Sequence, residues 1–505
     1  MNTARQQRRT LAVPSIADCV FIMALLIATL VWARPALNTD GDAGRHIRVG
    51  ETILDRGGLF YEDLFSHTMA GERFVPYEWL SETLAALAHR AGGLPGVVIL
   101  HGLVVATAWG LLGLFLRRRG VDPLLAFVVA VLAAAASAFH WLARPHVFTF
   151  AGTAALLWLL EARALRESSP RPYRILALVL LLFAVWANLH GGFLFGLVLI
   201  AMYVAGDLLE WRATGDGAWR TASVRHAGCL LAAVAGAAIN PSGLSLFAHV
   251  TGYLGKTYLV NVTNEYMSPD FHLWFGRAFL LVLVVLVAAL AHNRRRLPYP
   301  WLTVLVGTFA FALHSARNIP LFALTAMPLM ALHFDADWRA LRWPPLARLR
   351  RAFAVGDGQA RAGGWAAAAA AAFLVIGANQ GNVLGVPVVV AKYDPSIFPV
   401  DAVGYARDRH LEGRLFNNFI WGGYILYAWP EQRVFIDGQT DFYGEALTRA
   451  YGDIVALRSG WREELERRQV SLILVPGASS LSGQLAREPG WQLVYRDSTA
   501  VLYAR

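Results

Sequence analysis

The 505-residue chain is 56% hydrophobic and 16% charged with a formal net charge of +10, a balance that excludes an ordinary soluble protein. Apolar runs of about 15–22 residues recur along most of it, each long enough to cross a ~30 Å hydrocarbon core as a helix, and they lack the alternation of a transmembrane barrel. The arginines sit in short clusters between these runs, so the positive balance reads as a topology signal and no nucleic-acid partner is expected. The two cysteines, Cys19 and Cys229, lie far apart in apolar runs and argue for neither a disulfide framework nor a CxxC metal site.

The first run, residues 16–36, follows Arg5, Arg8 and Arg9 as a signal peptide would. It is longer than a signal h-region and lacks a small-x-small exit, so it is read as a retained anchor. Further candidate spans lie near 94–116, 122–142, 146–161, 174–189, 192–209, 227–247, 278–292, 299–314, 317–333 and 364–385, about eleven spans in all. Basic clusters fall on alternate loops: Arg117 to Arg119; Arg163, Arg166, Arg171 and Arg174; Arg212, Arg220 and Arg225; Arg294 to Arg296; and Arg339 to Arg361. Cytoplasmic loops retain Lys and Arg, which predicts a cytoplasmic N-terminus.

The intervening loops are compact and polar: Asn38-Thr39-Asp40-Gly41-Asp42, Arg144-Pro145-His146, Asn188-Leu189-His190-Gly191-Gly192, Asn240-Pro241-Ser242-Gly243, Asn264 to Asp270, and His314-Ser315-Ala316-Arg317-Asn318. All fall on the outer side. The first outer loop, 38–93, is expected to hold two amphipathic interfacial helices near 43–56 and 76–91. Asp40 and Asp42, directly after a membrane exit, can share a divalent ion such as Mg or Mn, or supply a general base. Asp42 reads equally as a helix cap, and Asp40 is the favoured functional carboxylate. Glu78 opens the second helix, as a site acid or as a complement to the helix dipole. His46 lies one turn beyond Asp42 on the same face, as a metal or phosphate neighbour or as an interfacial histidine.

Arg144, His146, His190 and Arg317 stand where spans meet the outer rim. A charge left in hydrocarbon costs on the order of 3 kcal/mol, so these residues are expected to anchor there or to grip an anionic, lipid-linked substrate. Glu265 lies among Tyr253, Tyr258, Tyr266 and Trp274, a membrane-interface belt or a sugar-stacking wall. From residue 386 the hydropathy becomes that of a soluble domain, with strand-like runs at 433–436, 470–475 and 499–503 and helical patterning at 443–457 and 460–469. Two dense polar stretches, around Asn417-Asn418 and around Asp437, are either turns of that domain or the acceptor side of a cleft.

Asp40 with Arg45-His46, Pro76-Tyr77-Glu78-Trp79, Ala143-Arg144-Pro145-His146, Trp186 to Gly192, and the stretches around Asn418 and Asp437 together resemble the GT-C superfamily of polyprenyl-phosphate-sugar-dependent glycosyltransferases, in particular a bacterial group of GT-C-like membrane proteins. The resemblance implies an all-α polytopic membrane bundle with a small C-terminal α/β extracytoplasmic domain, divided as 1–385 and 386–505. It implies a bacterial inner-membrane location with the C-terminal domain periplasmic. It further implies a lipid-linked sugar donor, a glycan, lipid or protein acceptor, and inversion at the anomeric carbon, with Asp40 taking the acceptor proton or holding a metal. A flippase for a lipid-linked glycan and a non-enzymatic subunit of an envelope-glycan assembly are the competing expectations. No P-loop, HExxH or nucleophile elbow is present.

Overall fold

The computed structural model describes residues 13–166, 172–262 and 264–505, so Arg5, Arg8, Arg9 and Arg171 lie outside the described residues. Apolar helices stand where the apolar runs are. Trp79–Arg118, Pro123–His140, Phe193–Thr214, Trp274–His292 and Ala316–Ala340 are long and apolar enough to cross a membrane by length and composition. Shorter apolar helices, Ile16–Val31, Val147–Leu160, Tyr173–Leu189, Tyr299–His314 and Gly364–Ala378, complete the bundle.

The 40-residue stretch Trp79–Arg118 is two helices meeting at Gly92 and Gly93. Gly93 takes φ 61°, a left-handed value open to glycine, and Pro95 restarts the helix in its first turn. The bend separates the second helix of the outer loop from a helix of the bundle. The run expected at 227–247 is displaced: its helix is Gly217–Ala237, because Asp216 caps it through Ala218 N–H at 2.9 Å and the turn at Asn240-Pro241 follows it. Arg220 and Arg225 in its first turns hid that start from hydropathy.

Several arginines read as topology signals are also ion-paired at one end of the bundle. Arg117 meets Asp357 at 2.8 Å, Arg119 meets Glu161 at 3.2 Å, Arg350 meets Asp122 at 3.2 Å, and Arg296 pairs with Glu210. The compact polar loops gather at the other end.

Beyond residue 386 the chain forms a four-stranded mixed sheet. Arg414–Asn417 pairs parallel with Val470–Pro476, which pairs antiparallel with Ala500–Ala504, which pairs antiparallel with Gln492–Arg496. Side chains alternate across it: Leu415, Leu472, Leu474 and Leu502 face one core, while Phe416, Ile473, Val475 and Tyr503 face another. The run 433–436 does not join this sheet. Val434 instead bridges the outer loop, exchanging backbone hydrogen bonds with Phe65 at 3.0 Å and His67 at 3.1 Å. The first sheet-side core takes Val49, Ile53, Phe60, Phe65 and Phe74 from the outer loop, so loop and C-terminal segment are packed as one body. The helix Asp42–Arg56 is covered on two sides, with Ala43 and Ile47 in the bundle core and Val49 and Ile53 in the sheet-side core.

Candidate active site

The motifs that end the helices at this pole converge on one guanidinium. Arg144 lies between the 3-10 turn Ala138–His140 and the helix Val147–Leu160. It meets Asp40 at 2.8 Å, Asp42 at 3.0 Å and Glu265 at 3.7 Å. Glu265 turns its other oxygen to Arg317 at 3.5 Å. Ser315 Oγ donates to the Glu265 carbonyl at 3.0 Å and Ala316 N–H to the Met267 carbonyl at 2.9 Å, which fixes these two short segments side by side. Arg317 also covers the Tyr266 ring, 4.4 Å from its centroid. Burial drives the Glu265 carboxyl up, but Arg317 and Arg144 outweigh it and hold the group at about 2.

Asp40 and Asp42 divide the two roles expected of the pair. Gly41 is the N-cap of helix Asp42–Arg56, and the Asp40 carboxylate accepts from Asp42 N–H at 3.1 Å, so the backbone contact belongs to Asp40. Asp42 reaches Arg144 with its side chain. Gly438 lies against that carboxylate so closely that a Cβ there would fall 1.8 Å from Asp42 Oδ1, which leaves glycine as the residue that fits. Burial pushes the Asp42 carboxyl up to about 7, with Arg144 opposing and Asp40 assisting.

His190 is oriented by its own turn. Its Nδ1 accepts from Gly192 N–H at 3.0 Å and contacts Thr149 Oγ1 at 2.8 Å, while Thr149 Oγ1 accepts from Trp186 Nε1 at 3.1 Å. With Nδ1 an acceptor, the ring proton sits on Nε2, which points toward Glu78 at 3.7 Å. Burial, Arg317 and Arg144 hold the imidazole well below its ordinary value, so it is neutral at pH 7.

A second group adjoins the first. His46 Nδ1 meets Glu82 at 3.1 Å and Glu78 at 4.0 Å, all three residues being buried. Their ligand-type atoms lie within 4.8 Å of one another. One imidazole and two carboxylates form a donor set suited to a transition-metal ion. Asp40 and Asp42, read from the sequence as able either to share Mg or Mn or to supply a base, are both paired with Arg144.

The remaining predicted residues adjoin this centre without an ion pair to Arg144 or Arg317 among the described residues. His146 Nε2 contacts the His140 carbonyl at 2.8 Å, and its ring lies 4.2 Å from that of His140, underneath the site. Asn418 accepts from Ile420 N–H at 3.1 Å and caps the turn Phe419–Trp421. Asp437, fully buried, holds Arg45 Nε at 3.2 Å and accepts from Tyr443 Oη at 3.0 Å, while Arg45 also bonds Gln439. Arg45 and Asp437 thereby tie the first outer helix to the C-terminal segment.

Glu82 and His249, which no sequence motif marked, also belong to the site, with Arg45 and Asp441, which stood only inside longer motifs. His249 meets Asp441 at 3.4 Å and packs on Tyr77, and Tyr253 Oη meets Thr440 Oγ1 at 3.0 Å, closing the C-terminal segment over the helix Ser245–Leu254. The signal for Glu82 was its spacing four residues from Glu78 on one helix face, a like-charge pair that helices disfavour without a compensating group.

No family model matches the sequence, and no curated protein matches it. The fold, by contrast, is shared with solved GT-C glycosyltransferases. The archaeal oligosaccharyltransferase AglB from Archaeoglobus fulgidus, in complex with an inhibitory peptide and a dolichol-phosphate, matches at TM-score 0.55 and 14% identity over 91% of this chain and 69% of that one. ArnT from Cupriavidus metallidurans, bound to undecaprenyl phosphate, matches at TM-score 0.53 and 13% identity over 97% of this chain and 96% of that one. An Archaeoglobus fulgidus oligosaccharyltransferase in complex with Zn and sulfate matches at TM-score 0.53 and 12% identity over 97% of this chain and 73% of that one. The chain therefore has a GT-C-like fold and is a multi-pass membrane protein.

Proposed function

We propose that this GT-C-like fold works as a membrane glycosyltransferase, moving a sugar from a polyprenyl-phosphate donor to an acceptor hydroxyl at the periplasmic face of a bacterial inner membrane. In this reading the arginine-rich end is cytoplasmic with the N-terminus, and the segment 386–505 is a periplasmic domain. The observation that carries it is the convergence of Asp40, Arg144, Glu265 and Arg317, from four separate loops, at one pole of the bundle. Two of the solved structures with this fold hold a polyprenyl-type phosphate, the ligand chemistry that two guanidiniums suit.

The acceptor oxygen attacks the anomeric carbon from the face opposite the phosphate, its proton passes to the Asp40 carboxylate, and the C–O bond to phosphate breaks with its electron pair leaving on the phosphate. The configuration inverts. Arg144 and Arg317, spaced by Glu265 between them, stabilise the charge that grows on the leaving phosphate. The His190 Nε2 proton is a further donor at the same rim. Asp40 is paired with Arg144. An arriving phosphate competes for that guanidinium and returns a lone pair of Asp40 to the acceptor, so donor binding arms the base.

Ion pairs of the bundle sit at its ends, which favours chemistry at a rim over carriage of a glycan through the middle. Replacing Asp40 with Asn should lower the rate of polyprenyl phosphate release about 1,000-fold, within the range for a lost general base, with the melting temperature in detergent unchanged. Full activity in Asp40→Asn would remove the assignment.

A further inference from the structure

Glu78 and Glu82 are i,i+4 neighbours on one face of the second outer helix, and both are buried, Glu82 to 2% exposure. Among the described residues the Glu78 carboxylate has no hydrogen bond: its nearest cationic or donor atoms are His190 Nε2 at 3.7 Å and His46 Nδ1 at 4.0 Å. A carboxylate held nine-tenths from water without a hydrogen bond is a costly arrangement. Arg45 does not resolve it. Its Nη1 stays 3.6 Å from Glu82, and its other nitrogens are engaged by Asp437 and Gln439.

We propose that His46 Nδ1, one oxygen of Glu78 and one oxygen of Glu82 hold a zinc ion, leaving a fourth position open toward His190 and the Arg144 rim. The ligand-type atoms lie within 4.8 Å of one another, so small rotations bring all three onto one ion at bonding distance. One imidazole with two carboxylates is a three-ligand set of the kind that leaves an open site on zinc. An imidazole nitrogen in a dry pocket disfavours Mg, which keeps several waters and prefers oxygen. The ion neutralises the two glutamates and joins the first outer helix to the second, beside the carboxylates that face Arg144. A zinc held by His46, Glu78 and Glu82 would supply Lewis-acid attraction for a phosphate oxygen of the donor, a role that rests on the glycosyl-transfer reading, whereas the ion's presence does not.

The test uses the full chain in detergent, stripped with a chelator, dialysed against buffered zinc and assayed for metal by mass spectrometry. One zinc per chain is expected for the native sequence and for Asp40→Asn, with affinity at least 100-fold weaker in Glu82→Gln and in His46→Gln. Less than one-tenth equivalent in the native chain, or unchanged affinity in both variants, overturns the proposal. Should the variants fold poorly, cobalt in the native chain decides: the intense visible bands of a four-coordinate site support it, and the weak spectrum of a six-coordinate ion overturns it. Inorganic phosphate added to the cobalt form should then shift those bands. A fixed spectrum rejects the open phosphate position while leaving the ion, and neither result depends on turnover.

Discussion

Two groups of buried charges lie at opposite ends of the same helices, and they are finished differently. At the arginine-rich end, Asp207 and His226 are both fully buried and 2.5 Å apart, and His226 Nε2 donates to the Leu160 carbonyl at 3.1 Å. Nearby, Glu161 accepts from Tyr203 Oη at 3.0 Å and Trp301 Nε1 at 2.9 Å, and Glu210 accepts from Tyr299 N–H at 2.8 Å. These contacts are short and local, with Asp207 Oδ1 left buried and without a hydrogen bond. At the opposite pole Arg144 is held by Asp40 and Asp42 at 2.8 and 3.0 Å, but the pairs of Glu265 stand at 3.5 and 3.7 Å, the Glu78 carboxylate has no hydrogen bond among the described residues, and the side chains of Asp40 and Arg144 keep 29% and 22% of their exposure. A closed polar group fixes a fold, whereas an open one with loosely met charges is prepared for a ligand. The first end reads as a clasp and the second as a site.

Removing Arg144 should break this contrast most severely. Arg144→Ala leaves Asp40, Asp42 and Glu265 facing one another with Arg317 alone to balance them. We expect more than a 100-fold loss of transfer together with weaker binding of polyprenyl phosphate, measured by titration and by single-turnover release. Arg144→Lys keeps the charge but cannot meet three carboxylates in one plane, so it should recover only part of the loss.

The clasp predicts the opposite pattern. Asp207→Ala leaves the fully buried His226 Nδ1 without its partner, which should cost about 2–3 kcal/mol of stability and lower the melting temperature. The rate per folded molecule should stay within a factor of two of the native one. A large fall in rate with unchanged melting would mean the clasp takes part in turnover and would dissolve the distinction.

This contrast was half legible in the sequence. Asp40, Arg144, His190, Glu265 and Arg317 stood out because ionisable groups at span ends carry a desolvation cost that must be met, and compact polar loops on one side gave them a shared address. Glu82 was hidden because a glutamate inside an amphipathic helix looks solvated, and only the packing of His46 and Arg45 against it makes it buried. Around Asn418 and Asp437, polar density marks a stretch as busy without saying whether its groups face a cleft or one another. Here one caps a turn and the other clamps Arg45. In the C-terminal segment, the longer strands Val470–Pro476 and Ala500–Ala504 were visible as apolar runs. Arg414–Asn417, four residues long, was not, and the equally short 433–436 run found its partner in a distant loop.

The smallest expected effect sharpens how the open end is tuned. Burial holds Asp42 at about 7, against an ordinary carboxyl value of 3.8, so the native state binds a proton that the unfolded chain has released. Stability from this group is therefore present below about pH 4 and declines as pH rises from there to about 7. Glu265, held at about 2 against an ordinary value of 4.5, acts in the opposite sense and has nearly finished titrating by about pH 6. Between about pH 6 and 7 the slope of these two is then set by Asp42. The same proton acts on ligand affinity: with Asp42 neutral, Arg144 loses one competing carboxylate and meets an anionic headgroup more readily. Affinity for polyprenyl phosphate should rise several-fold from pH 8 to pH 6, although the phosphate's own second ionisation also falls in that window. The Asp42→Asn variant separates the two, because it retains the ligand's titration and loses the protein's. A pH dependence equally steep in native chain and variant would place the control in the lipid, and a shallower one in the variant would place it in the carboxylate beside Arg144.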